Sequence, residues 1–395
     1  MHAVLSDRVQ AVRPSATMAI TARVYELRTA GQNIIGLGAG EPDFDTPEHI
    51  KAAAIAALQA GQTKYTPVDG TPALKQAIVQ KFAQDNQLHY APDQVLVSCG
   101  GKQSFYNLAQ ALLNAGDEVV IPAPYWVSYP DMVLLAEGKP VIVPTTAAQQ
   151  FKMQAEQLAA AITPRTRLVV LNSPSNPTGM AYTSAELAEL GEVLRRHPDV
   201  LIASDDMYEH VLWRPDSFCN IVQVCPDLYE RTLVLNGVSK AYSMTGWRIG
   251  YAAGPASIIK AMKKIQSQST SNPASVSQAA AVAALSGPQD CVADMVTAFK
   301  YRHDMVVARL NQMSGIQCAA TDGTFYVFPA MQGLIDRLPN VQDDLQLAEY
   351  LIEQAGIALV PGSAFGMPGH VRISIATSEH NLQQALDQLA AQIPG

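Results

Sequence analysis

The chain has 395 residues, room for two or three domains at about 100 to 200 residues each, and 48% of it is hydrophobic against only 16% charged, which describes a large buried interior. Lys and Arg number 27 against 35 Asp and Glu, a net charge of -8 with no basic block, which argues against nucleic acid and anionic membrane as partners. The five cysteines (Cys99, Cys219, Cys225, Cys291, Cys318) form no C-x-x-C pattern, Asp7 and Arg8 interrupt the place where a secretory signal needs apolar residues, and no run approaches the roughly 20 apolar residues of a membrane span, so a soluble, cytoplasmic protein without disulfides or a metal site is expected.

In chain order, residues 1–45 complete no strand–helix–strand unit and are expected to be an arm, counted with a smaller domain, that packs on the C-terminal part or on a neighbouring subunit. Residues 46–294 then alternate helical periodicity with short apolar runs closed by Gly, Pro or Asn. Seven such runs read as buried strands: Gln94–Ser98, Glu118–Pro122, Pro140–Val143, Leu168–Asn172, Val200–Ser204, Thr232–Asn236 and Ile249–Ala253, with helices such as Lys102–Leu113 and Ser184–Arg196 among them. This is an α/β pattern, a large, mostly parallel seven-stranded sheet with helices on both faces. Residues 295–395 read as a smaller α+β domain: a long helix through Arg309, strands at Thr324–Pro329, Ile357–Val360 and Val371–Ile375, and a closing helix from Glu379.

Ligands of open α/β sheets bind beyond the carboxyl ends of the strands, so the polar residues just after the apolar runs are the candidates. Leu233-Val-Leu-Asn-Gly-Val-Ser-Lys240 is a strand ending on a lysine, with Arg248 following in Thr245-Gly-Trp-Arg-Ile-Gly. A lone lysine is usually a solvated residue; at the mouth of an apolar sheet its amine loses water, its pKa falls, and it can form a Schiff base with a carbonyl. Arg248 is spaced to clamp a phosphate. Together these point to a pyridoxal phosphate enzyme, which also needs a carboxylate at the ring nitrogen, a partner for the phenolic oxygen, a stacking surface and an anion site.

Each is on offer. Asp205 directly follows the run Val200–Ser204, with Tyr208 close behind; alone, Asp205 would read as a helix N-cap. Asn176 sits in Asn172-Ser-Pro-Ser-Asn-Pro-Thr-Gly179, a turn stiffened by two prolines. Gly100, Gly101 and Lys102 end one strand and open a helix, where backbone amides can cradle a phosphate, although this is not a P-loop. Trp126 offers an aromatic face, in a place where an indole is otherwise most often core. Asp205-Asp206 reads as one cofactor ligand and a polar neighbour rather than a metal site, His210 as structural, and Gly36-Leu-Gly-Ala-Gly40 fails the dinucleotide spacing.

These motifs, with Gly38-Ala-Gly-Glu-Pro-Asp-Phe-Asp-Thr-Pro47, Thr63-Lys-Tyr-Thr-Pro-Val-Asp-Gly70, Pro124-Tyr-Trp-Val-Ser-Tyr-Pro130 and Val371-Arg-Ile-Ser374, run in one order along the whole chain, which resembles the class I aminotransferases of the fold-type I pyridoxal-phosphate enzymes. Bacterial aspartate aminotransferases, some accepting prephenate, are the nearest likeness. The resemblance implies that Lys240 holds the cofactor and shuttles the substrate α-proton, that Asp205 pairs with the ring nitrogen, and that Asn176 and Tyr208 bond the phenolic oxygen. It implies that Trp126 stacks on the ring and that Gly100, Gly101, Lys102, Ser239 and Arg248 surround the phosphate. Tyr65 would reach over from the neighbouring subunit of a homodimer with shared sites.

For substrate, the resemblance implies Arg372 at the α-carboxylate, where its planar fork suits a bidentate bond, with Gly40 approaching through its backbone beside Trp126 and Asn176. Lys102 would lie near an acidic side chain, with Arg13, Ser15 and Thr17 of the arm closing over it. Members that accept prephenate often carry lysine at the place of Arg13. Thr321-Asp-Gly-Thr-Phe-Tyr326 departs from the Pro and Gly-Ala-Phe-Tyr usual in the family, and Ile375 stands where relatives have Tyr. The expected activity is ping-pong aspartate:2-oxoglutarate amino transfer, with glutamate or aspartate to prephenate as an extension. The alternatives are aromatic or alanine donors, another pyridoxal-phosphate reaction such as a C–S lyase, and, last, a non-catalytic amino acid sensor.

Overall fold

The computed structural model describes residues 4–214 and 217–393; residues 1–3 of the expected arm and 394–395 lie outside the described residues. From the N-terminus come helix α1 (Ala16–Thr29), strand β1 (Ile35–Gly36), α2 (Pro72–Asn86), β2 (Val95–Ser98), α3 (Gly101–Leu112), β3 (Glu118–Ala123), α4 (Ser128–Leu135), β4 (Lys139–Pro144), β5 (Thr166–Asn172), β6 (Leu201–Asp205), β7 (Thr232–Gly237) and β8 (Gly250–Ala253). The C-terminal part holds α5 (Asp290–Leu310), β9 (Tyr326–Val327), β10 (Ile357–Ala358), β11 (Val360–Pro361), β12 (Val371–Ser374) and α6 (Glu379–Ala390).

Strands β2 to β8 are the seven expected ones and form one sheet in the order β2-β8-β7-β6-β5-β3-β4, parallel except where β8 lies antiparallel between β2 and β7. Both faces are dry because consecutive side chains of one strand point to opposite sides. Val169 and Leu171 of β5 join Val120, Ile202 and Val234 on one face, while Leu168 and Val170 join Ile121, Ala203 and Leu235 on the other. Strands buried twice read as continuous apolar runs, which is why they were visible in the sequence.

A separate apolar cluster around Val306, Phe299, Phe325, Leu351, Val371 and Leu382 holds the C-terminal elements together. Part of the expected arm packs against it, Ile35 and Leu37 joining the cluster and β1 pairing in parallel with β10, Ile35 opposite Ile357, whereas the short helix Asp7–Ala11 lies against α4 of the large sheet. Two strand expectations need correction. Thr324–Pro329 shortens to Tyr326–Val327, because Thr324 takes a left-handed backbone (φ 67) that a strand cannot continue. Ile357–Val360 divides, because Ile357 and Ala358 serve β1 whereas Val360 pairs with Arg372 in a different sheet.

Candidate active site

A cavity of about 460 Å³ opens at the carboxyl ends of β5, β6 and β7 and the start of α3, and is closed from above by α1, the loop 38–41, Tyr326 and Arg372. Its floor is the set of residues that leave the sheet. Lys240 follows β7, and its Nζ donates to the carbonyl of Gly40 at 2.5 Å. Burial, helped by the positive charge of Arg372, lowers its pKa from the ordinary 10.5 to about 8.

Asp205 ends β6 and is 9% exposed. One oxygen accepts the amide of Met207 at 3.2 Å, within a turn and not at the start of a helix, since none follows among the described residues before Ile221; the other accepts the hydroxyl of Tyr129. Burial pushes its pKa up, opposed by the bond from Tyr129, the Met207 amide and the charge of Lys240. Tyr208 is buried beside it, its hydroxyl 3.0 Å from that of Tyr326. Asn176 is held through its amide, which donates to Asn172 Oδ1 at 2.9 Å.

Arg372 is 2% exposed, yet among the described residues it has no ion pair with a carboxylate. Two of its nitrogens donate to Asn176 Oδ1 at 2.9 Å and to the Gly38 carbonyl at 2.8 Å, and its Nε has no partner among the described residues. The guanidinium lies 4.2 Å over the ring of Tyr326 and 5.1 Å over that of Phe365. Uncompensated buried charge is costly, so this arrangement calls for an anion from outside. Gly40 lines the same wall, where a Cβ would come within 3.1 Å of the Tyr326 hydroxyl.

At the other end, α3 starts at Gly101 without a capping side chain. Gly100 has φ 88, and a Cβ there would sit 2.6 Å from a nitrogen of Arg248, so glycine is what lets the guanidinium lie against the helix start. Lys102, Ser239 and Arg248 face the cavity with Gly101; Gly100 stands behind them. Trp126 lines the cavity with Lys102 Nζ 5.3 Å over its ring, and burial and the charge of Arg248 lower the lysine's pKa. Free helix-start amides, two cations and a hydroxyl make an anion cradle.

Ser15 and Thr17 of the arm line the cavity together with Met18 and Thr21. Arg13 does not; it is exposed, before the start of α1, and its amide is drawn to Asp131 at 3.4 Å. Tyr65 is 91% exposed and lies outside the cavity wall of its own chain. Sequence reasoning missed Tyr129 and Tyr326. Tyr129 sits inside α4 and packs on Phe105 and Trp126 at ring separations of 4.9 and 5.1 Å, indistinguishable in sequence from a core aromatic. Its proximity to the already suspected Trp126 was the only signal.

The family model for aminotransferase class I and II matches residues 32–389. The chain belongs to this family. An aspartate/prephenate aminotransferase from Nitrosomonas europaea is 57% identical over 98% of the chain and 99% of its own length. The crystal structure of an aspartate aminotransferase from Rhizobium meliloti superposes with a TM-score of 0.96 at 49% identity, covering 99% of each chain. That of an aspartate aminotransferase from Thermus thermophilus with maleate gives 0.93 at 44%, covering 99% of this chain and 100% of the other. The protein is thus an aminotransferase of the α/β fold expected from its sequence, in a family that works with pyridoxal phosphate.

The residues present suit that group. A lysine of depressed pKa, a buried carboxylate, an indole face and a glycine-opened anion cradle line one cavity.

Proposed function

We propose that this aminotransferase moves the amino group of aspartate to 2-oxoglutarate, with pyridoxal 5′-phosphate bound in the cavity, as a cytoplasmic homodimer with shared active sites. The bound cofactor supplies a carbonyl for amines and an electron sink for the substrate α-carbon. Lys240, with a pKa of about 8, is neutral in about a tenth of molecules at pH 7, far more than an ordinary lysine, so its Nζ can take the α-proton and return it. Asp205, whose carboxylate form the bonds from Tyr129 and the Met207 amide favour against the upward pull of burial, serves a cationic ring nitrogen. Asn176 and Tyr208 serve the phenolic oxygen, Trp126 the ring face, and Gly100, Gly101, Lys102, Ser239 and Arg248 the phosphate. A Tyr65 left 91% exposed on its own chain is what a residue serving the neighbouring subunit's site requires.

The observation that carries the substrate reading is a pair of cations on one cavity. Arg372, buried and lacking a carboxylate, takes the α-carboxylate, with the Gly40 backbone and Asn176 alongside. Lys102, on the same cavity as Ser15 and Thr17, takes the distal carboxylate. Maleate, present in the solved Thermus relative, is likewise a four-carbon dicarboxylate. The names of the aspartate/prephenate relatives favour prephenate, itself a dicarboxylic oxo acid, as a second acceptor. A donor panel with 2-oxoglutarate tests the assignment: kcat/KM for aspartate should exceed that for alanine and phenylalanine by about tenfold or more. Equal or reversed preference removes the acidic-substrate reading.

A further inference from the structure

Beneath the floor of the cavity lies a buried ionic network that the reaction does not use directly. Glu209, 5% exposed, pairs with Lys81 of α2, itself 4% exposed. Burial alone would raise the acid's pKa, but Lys81 and His210 hold it down at about 2. Its second oxygen accepts Asn86 Nδ2 at 2.7 Å, and Asn86 Oδ1 in turn accepts Lys81 Nζ at 2.6 Å. His210 lies 3.5 Å from both Glu209 and Asp85, and Asp85 is 3.8 Å from Lys81.

The network does not end at the ion pair. The oxygen that pairs with Lys81 also accepts Asn236 Nδ2, at 2.6 Å, and Asn236 Oδ1 accepts the Gly237 amide at 2.7 Å. Asn236 and Gly237 are the last residues of β7, separated from Ser239 and Lys240 by Val238 alone. On the other side, Glu209 adjoins Tyr208 and donates its own amide to the Asp206 carbonyl at 2.9 Å, while the Asp206 amide donates to Leu235 at 2.9 Å. One carboxylate therefore ties the segment bearing Asp205 and Tyr208 to the strand that delivers Lys240, and both to α2.

Stability does not account for such a design, because a buried ion pair is commonly replaced by apolar residues without loss. What apolar residues cannot replace is an acceptor for Asn236. We propose that Glu209 is a positioning residue of the aminotransfer site, its carboxylate fixing Lys240 relative to Asp205 and Tyr208 through Asn236. This rests on the reading that Lys240 carries pyridoxal phosphate.

Two charge-neutral double variants separate positioning from stability. Lys81→Met/Glu209→Gln removes the ion pair but keeps an acceptor for Asn236, and Asn86 can turn its carbonyl to the new amide. Lys81→Met/Glu209→Leu removes the acceptor as well. The readouts are the pyridoxal phosphate affinity of the apo protein, the pH at which the visible band of the loaded protein shifts, and kcat. The Leu variant is expected to bind the cofactor about tenfold or more weakly than the Gln variant, with a displaced spectral midpoint and lower kcat, whatever thermal midpoint is lost through the Asn236 and Asn86 amides it leaves without an acceptor. Indistinguishable affinity, midpoint and kcat in the two doubles would overturn the proposal. If either fails to fold, Asn236→Ala leaves the ion pair intact and is expected to show the same weakened affinity and displaced midpoint; wild-type values there would overturn it equally. A wild-type protein that takes up no pyridoxal phosphate at Lys240 defeats the underlying reading instead.

Discussion

The floor of the cavity and its roof hold their polar groups in different ways. Lys240, Asp205 and Asn176 leave strands buried on both faces, so their backbones are fixed before any ligand arrives. Arg372, Gly40, Ser15 and Thr17 come from β12, a loop and α1, segments far apart in sequence that meet only when the C-terminal cluster packs over the sheet. Chemistry at the α-carbon is thereby assigned to the floor, the α-carboxylate common to all donors to Arg372 of the roof, and recognition of the particular side chain to the helix start with Ser15 and Thr17.

The sharpest way to break this division is to remove the floor lysine. Lys240→Ala should lower turnover by about a thousandfold or more, with the thermal midpoint of the apo protein little changed, since it deletes the proton-transfer group and no core packing. Wild-type turnover in that variant would contradict the assignment outright. Next comes the roof. Arg372→Leu should cost about a hundredfold in kcat/KM for every amino acid donor, the effect of losing a buried charge-assisted pair, and Arg372→Lys should rescue little because lysine lacks the fork. A loss confined to aspartate would place Arg372 at the wrong carboxylate.

A smaller and more selective effect is expected where floor and roof meet. Lys102→Gln should weaken aspartate about tenfold more than alanine in a steady-state comparison, one exposed-to-buried charge pair being worth roughly that much. A uniform loss would return Lys102 to the phosphate alone. The last effect is in pH and needs no substitution. A lysine whose pKa falls from 10.5 to about 8 becomes neutral above that value, so uptake of pyridoxal phosphate by the apo protein should accelerate about tenfold per pH unit below it and level off above. Acceleration continuing to pH 10 would show an unperturbed amine.

The same division explains how much could be read from the sequence. The seven strands announce themselves as apolar runs, and a lysine, an acid or an asparagine standing directly after such a run is placed at the mouth of the sheet by topology alone. Roof residues carry no comparable mark. Arg13 is expected over the substrate with Ser15 and Thr17, yet at the turn into α1 those two line the cavity while the arginine is exposed, its backbone amide drawn to Asp131. Tyr129 escaped notice because nearly all of it is core; only its hydroxyl, meeting Asp205 across the floor, gives it a function in the site. Glu209 was hidden for a similar reason, since nothing in the order of residues announces that Lys81 and Asn236 converge on it.

The most direct test follows the visible band of the pyridoxal-phosphate-loaded protein through one half-reaction at a time. Adding aspartate with no oxo acid present should abolish the band, adding 2-oxoglutarate should restore it, and Lys240→Ala should show neither change at a comparable rate. A loaded protein whose band is unmoved by aspartate, or a chain that takes up no pyridoxal phosphate, would contradict the account.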